Sequence, residues 1–282
     1  MPNKNDIANQ TKIPPLGVRG LLPNKTDAAN QTKAPLGGVG GLLCLVTGGG
    51  GGIGSEICRA LARAGYQVVV NYQNNEQKAK ATLDSLEGDG HVLFKASITD
   101  CESLRAMADF VKEKYGRLDI LVNNAGITKP VPHADLDALD DEWFDKIMQT
   151  NVRGTFATVR AFKSLLLLGN QPVVINISSI AGRTGVGSNV AYCASKAAVD
   201  SMTRSLGRAL APQIRVVSLS PGWVMGEYSA NFPADYIQEQ INKTPLNRLA
   251  EAQDVAKAVV AIAQNFTFST GCIFPVDGGR EL

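Results

Sequence analysis

The run Cys44–Gly54, CLVTGGGGGIG, leaves this chain few ways to fold. A short apolar stretch of strand composition enters an unbroken series of glycines, and Ser55–Ala64 behind it has helical composition. Gly48, Gly52 and Gly54, with Ile53 between the last two, are spaced to turn the chain sharply. Such a turn lets backbone N–H groups approach a pyrophosphate, and the positive end of the following helix favours its charge. Glycine runs also make flexible linkers. The strand before and the helix after favour the phosphate-binding turn.

The alternation continues downstream. Val68–Asn71, His91–Ala96, Leu118–Asn123, Val173–Ile177, Arg215–Leu219 and Cys272–Val276 have strand composition. Helices are expected over Lys78–Leu86, over Cys101–Tyr115 behind the N-cap Asp100, over Asp141–Leu167 as one or two segments, and from Asn189 to about Leu210. This pattern predicts an α/β fold, a doubly wound parallel sheet with helices on both faces, in one domain over 42–282. Right-handed crossovers then place the glycine turn, Asn123–Gly126 and Ser179 along one carboxyl edge, where such sheets bind ligands.

Ahead of the domain, PNKNDIANQTKIPPLGVRGLL is followed directly by PNKTDAANQTKAPLGGVGGLL. Two polar, Pro/Gly/Asn-rich copies are too few for a solenoid, so 1–41 is expected to be a disordered tail. It is either a tolerated terminal duplication or a docking segment. Leu42–Leu43 of the second copy belong to the first strand.

Ser178–Lys196, SSIAGRTGVGSNVAYCASK, carries the reactive groups. Tyr192 and Lys196 are four residues apart and share one helix face. A free tyrosine has a pKa of about 10, and a nearby ammonium favours the phenolate and brings the group toward neutral working range. Ser179, where the strand ends, can aim a hydroxyl at the same point. An isolated Tyr-x-x-x-Lys is also an ordinary helix-surface pair; here the glycine turn accompanies it.

Together these stretches resemble the short-chain dehydrogenase/reductase family in its shorter, single-domain form. The matching residues are Thr47–Gly54 (TGGGGGIG), Asn123–Gly126 (NNAG), Asn151, Ser179, Tyr192, Lys196 and Pro221–Gly222, in the family's order over roughly Leu42–Leu282. The resemblance implies a Rossmann-type sheet and hydride transfer between a nicotinamide cofactor and a carbonyl or alcohol. It makes Tyr192 the acid/base. Lys196 lowers the tyrosine pKa and binds the nicotinamide ribose, Ser179 polarises the substrate oxygen, and Asn151 holds a water in a relay through Lys196. Asn123, Ala125 and Gly126 would line the cofactor ribose, and the backbone of Pro221, Gly222 and Val224 would meet the carboxamide end.

Three places depart from the family's pattern. Ser97 and Ile98 stand where Asp and an aliphatic residue often contact adenine. Gly226, followed by Glu227 and Tyr228, replaces a threonine usual at the carboxamide. At the end of strand two, where an acid selects NAD, the chain has Tyr72, then Gln73, Asn74 and Asn75. Gly51 and Gln73 occupy the places where an NADP enzyme usually offers a cation. Neutral donors and the Asn-Tyr pair favour NADP(H), with NAD(H) still accepted.

A formal net charge of +2 gives no case for nucleic acid, and no membrane partner is expected. Five scattered cysteines without Cys-x-x-Cys spacing, and no apolar leader, suggest reduced thiols in a cytoplasmic protein. His91 and His133 are far apart, so no metal site is expected, and both read as surface residues. Residues 226–246 fall where the family carries a mobile lid over the substrate. Phe232, Tyr236 and Ile237 either line that pocket or pack under a loop, and Trp223 is either pocket wall or core. NYQNNEQKA and PLNRLAEAQDVAKAV lean toward 3-oxoacyl-thioester reductases and sugar dehydrogenases, hence a small-molecule ketone or 3-oxoacyl substrate. The resemblance also implies a homo-oligomer, tetramer or dimer; Leu165–Leu168 would suit that contact or the core. The alternative is a non-catalytic dinucleotide-binding sensor or scaffold. Such relatives usually lose the tyrosine or lysine, and this chain keeps both.

Overall fold

The structure, a computed structural model, describes residues 41–226, 229 and 232–281. The expected tail, except residue 41, lies outside them, as do Glu227 and Tyr228. Seven parallel strands form one sheet in the order β3-β2-β1-β4-β5-β6-β7. They are β1 Leu43–Val46, β2 Gln67–Tyr72, β3 Val92–Lys95, β4 Ile120–Asn123, β5 Val173–Ile177, β6 Arg215–Pro221 and β7 Ile273–Val276. The order reverses between β1 and β4, and the crevice at their carboxyl ends is the natural ligand site.

Burial on both faces explains why the strands read as continuous apolar runs rather than alternating ones. Along β1, Cys44 and Val46 face one layer, with Ile57, Leu61, Val255 and Val259. Leu43 and Leu45 face the other, with Leu104, Met107, Val111 and Phe162. The first layer is built from α1 (Gly52–Arg63) and α9 (Ala252–Gln264), and the second from α3 (Cys101–Tyr115) and α5 (Thr155–Leu166). At the amino edge, Asp119 is 1% exposed. Its Oδ2 accepts from Leu43 N at 2.7 Å and Arg117 Nε at 3.3 Å, and its Oδ1 from Asn170 N at 2.6 Å.

Several details differ from expectation. Helix α2 (Glu76–Asp84) begins two residues before Lys78, because Asn75 Oδ1 caps it by accepting from Lys78 N at 2.9 Å. The stretch Asp141–Leu167 divides into α4 (Asp141–Met148), a wider π-helical segment Gln149–Gly154, and α5. The long helix α7 (Val190–Leu210) follows a short α6 (Ala181–Thr184). Two further helices, α8 (Ala234–Asn242) and α9, complete the chain beyond β6. His91 is half-buried rather than superficial, since its Nδ1 accepts from Val68 N at 3.1 Å at the start of β2. Among the described residues no helix is long and apolar enough to cross a membrane.

Candidate active site

The glycine turn is built as its spacing requires. Gly48 and Gly52 have φ of +64° and +51°, a region that side chains other than glycine's rarely adopt. A Cβ on Gly54 would lie 2.2 Å from the Gly48 carbonyl oxygen, so α1 meets the loop only because that atom is missing. The α1 N-terminus has no side-chain cap hydrogen bond and no acid in its first turn. Its positive end is thus left for an anion, and the residues fit a bound pyrophosphate.

Two residues of the matching motifs that carry no expected role, Thr47 and Asn124, fasten this turn to the β4 loop. Thr47 Oγ1 accepts from Asn124 N at 3.0 Å and Ala125 N at 3.1 Å. Asn124 Nδ2 donates to the Thr47 and Gly48 carbonyls at 3.0 and 3.1 Å. Asn123 itself turns into the sheet, where its Nδ2 donates to Asn176 Oδ1 at 2.9 Å. Ala125 and Gly126 lie at the edge above it. Gly126 is small for a reason: a Cβ there would stand 3.2 Å from Asn151 Oδ1 and 3.7 Å from Lys196 Nζ.

Farther out, Tyr72 is largely buried at the end of β2, and Gln73 is exposed immediately after it. Ser97 Oγ is shared with Thr99 Oγ1 at 2.9 Å, and the Ile98 side chain is packed against Gly154. On the other side, the Pro221 carbonyl accepts from Ile180 N at 3.0 Å, and Gly222 N donates to the Val276 carbonyl at 3.0 Å. Val224 pairs with Ala250 beyond the strand.

The polar side chains gather where β5 and α7 meet. Lys196 is 6% exposed, and its Nζ donates to the Ile177 carbonyl at 2.8 Å. Burial pulls its pKa down to about 8, against which Asp200 one turn later acts in the opposite sense. Its ammonium lies 5.6 Å from the centroid of the Tyr192 ring. Ser179 follows Ser178, whose Oγ donates to the Lys196 carbonyl at 3.2 Å; Ser179 Oγ accepts from Ala181 N at 3.2 Å. Asn151, in the π-helical segment, exchanges two bonds with the Ile127 backbone: Oδ1 accepts at 2.8 Å and Nδ2 donates at 3.0 Å. Its Nδ2 also donates to Ser195 Oγ at 3.0 Å.

Asn189 is a residue outside the expected set. It caps α7 by accepting from Tyr192 N at 2.6 Å, and donates to the Lys129 carbonyl at 2.7 Å. The tyrosine is thereby tied to the loop after β4. An Asn three residues before Tyr192 at the helix start is a readable capping signal. Beyond β6, Trp223, Phe232 and Tyr236 pack on one another with centroids 5.3 to 5.6 Å apart. Trp223 therefore packs with two aromatic residues of the stretch 226–246.

Comparison with known proteins bears on this arrangement. The family model described as enoyl-(acyl carrier protein) reductase matches residues 49–281. The chain is 38% identical over 241 residues to a protein named as ketoacyl reductase 2 of the granaticin polyketide synthase of Streptomyces violaceoruber, covering 84% of this chain and 95% of that one. It is 32% identical to a 3-oxoacyl-acyl-carrier-protein reductase of Staphylococcus aureus, over 84% of this chain and 97% of the relative. Among solved structures, a short-chain dehydrogenase/reductase from Burkholderia xenovorans superposes with a TM-score of 0.80 at 29% identity. That match covers 86% of this chain and 98% of the other.

Proposed function

The chain belongs to the short-chain dehydrogenase/reductase family, and from that membership we propose that it reduces the ketone of a 3-oxoacyl thioester with NADP(H). The observation that carries this reading is the gathering of Ser179, Tyr192 and buried Lys196 at the carboxyl edge that also bears the glycine turn. The matched family model is described by enoyl reduction, whereas both relatives are named for ketoacyl reduction. Two hydroxyl groups at one site suit a carbonyl oxygen that gains a proton, which favours the ketone.

Gly48, Gly52, Ile53 and Gly54 would hold the pyrophosphate, Tyr72, Gln73, Ser97 and Ile98 the adenosine half, and Asn123, Ala125, Gly126, Tyr192 and Lys196 the nicotinamide ribose. The backbone of Pro221, Gly222 and Val224 would meet the carboxamide. When bound, the cofactor supplies the hydride. Ser179 donates a hydrogen bond to the substrate oxygen and Tyr192 gives it a proton. Lys196, still mostly ammonium at pH 7 with a pKa of about 8, stabilises the tyrosinate left behind. Asn151 fixes the Ile127 backbone beside the lysine and can carry a proton-relay water there.

The adenosine end supports NADP(H). No acid stands at Tyr72 to repel a 2′-phosphate, and the Lys78 side chain passes 3.9 Å from where a Cβ on Gly51 would be. A cation thus reaches the glycine turn from α2 although Gly51 carries none. We expect kcat/KM to favour NADPH over NADH about tenfold, roughly 1.4 kcal/mol. Gln73→Arg should widen the ratio through a charge-assisted contact. A tenfold preference for NADH would overturn the assignment.

A homo-oligomer is also proposed. Phe144 on α4, Phe156 on α5, and Leu167 and Leu168 just past its end are exposed and would be covered by a second copy. Light scattering at micromolar concentration should give a dimer or tetramer mass; a monomer mass refutes this.

A further inference from the structure

Below the tyrosine and lysine, the same face of α7 continues one turn at a time. Tyr192, Lys196, Asp200 and Arg204 stand at successive four-residue steps, about 6 Å of helix apart. Tyr192 is half-buried, Lys196 and Asp200 are buried, and Arg204 is exposed. Asp200 is therefore an acid sunk 2% exposed beneath a reactive ammonium.

We propose that Asp200 is a positioning residue for the reaction: its carboxylate keeps Lys196 cationic and seated against the Ile177 carbonyl. The proposal rests on the reductase reading above and assigns a role behind the reacting groups rather than among them.

Burial pushes the Asp200 carboxyl up, and the hydrogen bonds and cations around it act against that, in favour of the ionised acid. Ser218 Oγ, from β6, donates to Asp200 Oδ1 at 3.2 Å. The Ser178 hydroxyl, from the end of β5, also faces it, as does the Arg204 guanidinium. Asp200 Oδ2 is buried and has no hydrogen-bond partner among the described residues. Glu281, at the C-terminus, is the other acid that senses Asp200, and it is itself held by Arg183 at 3.0 Å with Asp277 nearby. A desolvated carboxylate in this setting is tolerable because cations flank it, Lys196 on one side and Arg204 on the other. The relation is reciprocal: burial disfavours the ammonium of Lys196, and the anion one turn away restores it. Around the lysine, the remaining groups are Tyr192 on its own helix, Asn151 from the π-helical segment and the uncharged edge at Gly126. Asp200 is thus the acid that stands one helical turn from the lysine and acts on it through space, and without it the buried ammonium keeps its bond to the Ile177 carbonyl but loses that compensating charge.

Removing a negative charge makes every nearby proton easier to lose, so the coupled Tyr192–Lys196 pair deprotonates at lower pH. The alkaline limb of kcat/KM for NADPH-dependent reduction of a 3-oxoacyl thioester should therefore move down in Asp200→Asn by at least about half a pH unit. Asp200→Glu, which keeps the charge, should restore most of it. A purely structural role would lower stability in both variants and leave the limb in place.

The decisive measurement needs no turnover: the NMR titration of the Lys196 13Cε signal, assigned by its loss in Lys196→Arg, in wild type and both variants. A midpoint that falls in Asp200→Asn and returns in Asp200→Glu supports the proposal; a midpoint unchanged in Asp200→Asn overturns it. Should Asp200→Asn fail to fold, Asp200→Ser, which also removes the charge, replaces it. Its Lys196 midpoint should fall in the same way, and an unmoved midpoint overturns the proposal. A wild type inert toward ketones would refute the reductase reading instead, while the titration still decides on Asp200.

Discussion

Replacing Tyr192 by phenylalanine should lower kcat by at least about a hundredfold while the dissociation constant for NADPH changes little. The phenyl ring keeps the packing of the half-buried side chain beside Lys196 and removes only the hydroxyl. Its neighbours stay where they are, because the α7 N-terminus is held by Asn189 through the backbone of residue 192 and not through the phenol. Ser179 remains as a hydrogen-bond donor, but an aliphatic hydroxyl is far less acidic than a phenol and is a poor proton donor in its place. On the proposed reading, the cofactor is held mainly by the glycine turn and the Lys196 side, which the substitution spares. Stopped-flow reduction of a 3-oxoacyl thioester and fluorescence titration with NADPH separate the two quantities. A variant that keeps most of its kcat would show that the proton comes from elsewhere.

The second large effect concerns stability and lies at the opposite edge of the sheet. Asp119 pairs through its backbone with both neighbours, donating to the Leu43 carbonyl at 3.0 Å and accepting from Val173 N at 3.0 Å. Its side chain adds the bonds to Leu43 N, Asn170 N and Arg117. In Asp119→Ala the buried Leu43 N–H loses its partner, and a charge-assisted bond to the α5–β5 connection goes with it. Each such loss costs about 1–3 kcal/mol, so a total of about 3–5 kcal/mol is expected. For a domain of this size that lowers Tm by roughly 10 °C. Urea and thermal unfolding read it directly. A drop below about 1 kcal/mol would mean that water takes over these bonds.

Both predictions depend on different kinds of legibility. The sheet and the first-half helices were readable because apolar runs, Gly turns and the Asp100 cap are local signals. Tyr192, Lys196 and Ser179 were readable because a helix and a strand end fix their relation within twenty residues. Helix α9 carried a signal that went unassigned: Val255, Ala256, Val259 and Ile262 follow helical spacing behind a Glu251–Asp254 capping box. Asp119 and Asp200 were not readable, nor was the role of Asn124 within its motif. Their partners lie 76 residues away for the Asn124–Gly48 and Asp119–Leu43 bonds, and 18 for Asp200–Ser218, so their bonds exist only once the sheet has formed. Lys78 is similar, since nothing in its local sequence says that α2 will lay it against the glycine turn.

The π-helical segment Gln149–Gly154 makes chain length itself part of the site. A π-turn holds one residue more than the α-turn it interrupts, and each residue turns a helix by roughly 100°. Losing any one residue there would let α4 and α5 fuse into a regular helix with better hydrogen bonds. Asn151 would then rotate away from Ile127, although every remaining side chain was still present and α5 could still bury Phe162. Along these six residues a gap in a related sequence therefore carries more information than a substitution, because it removes a direction rather than a group.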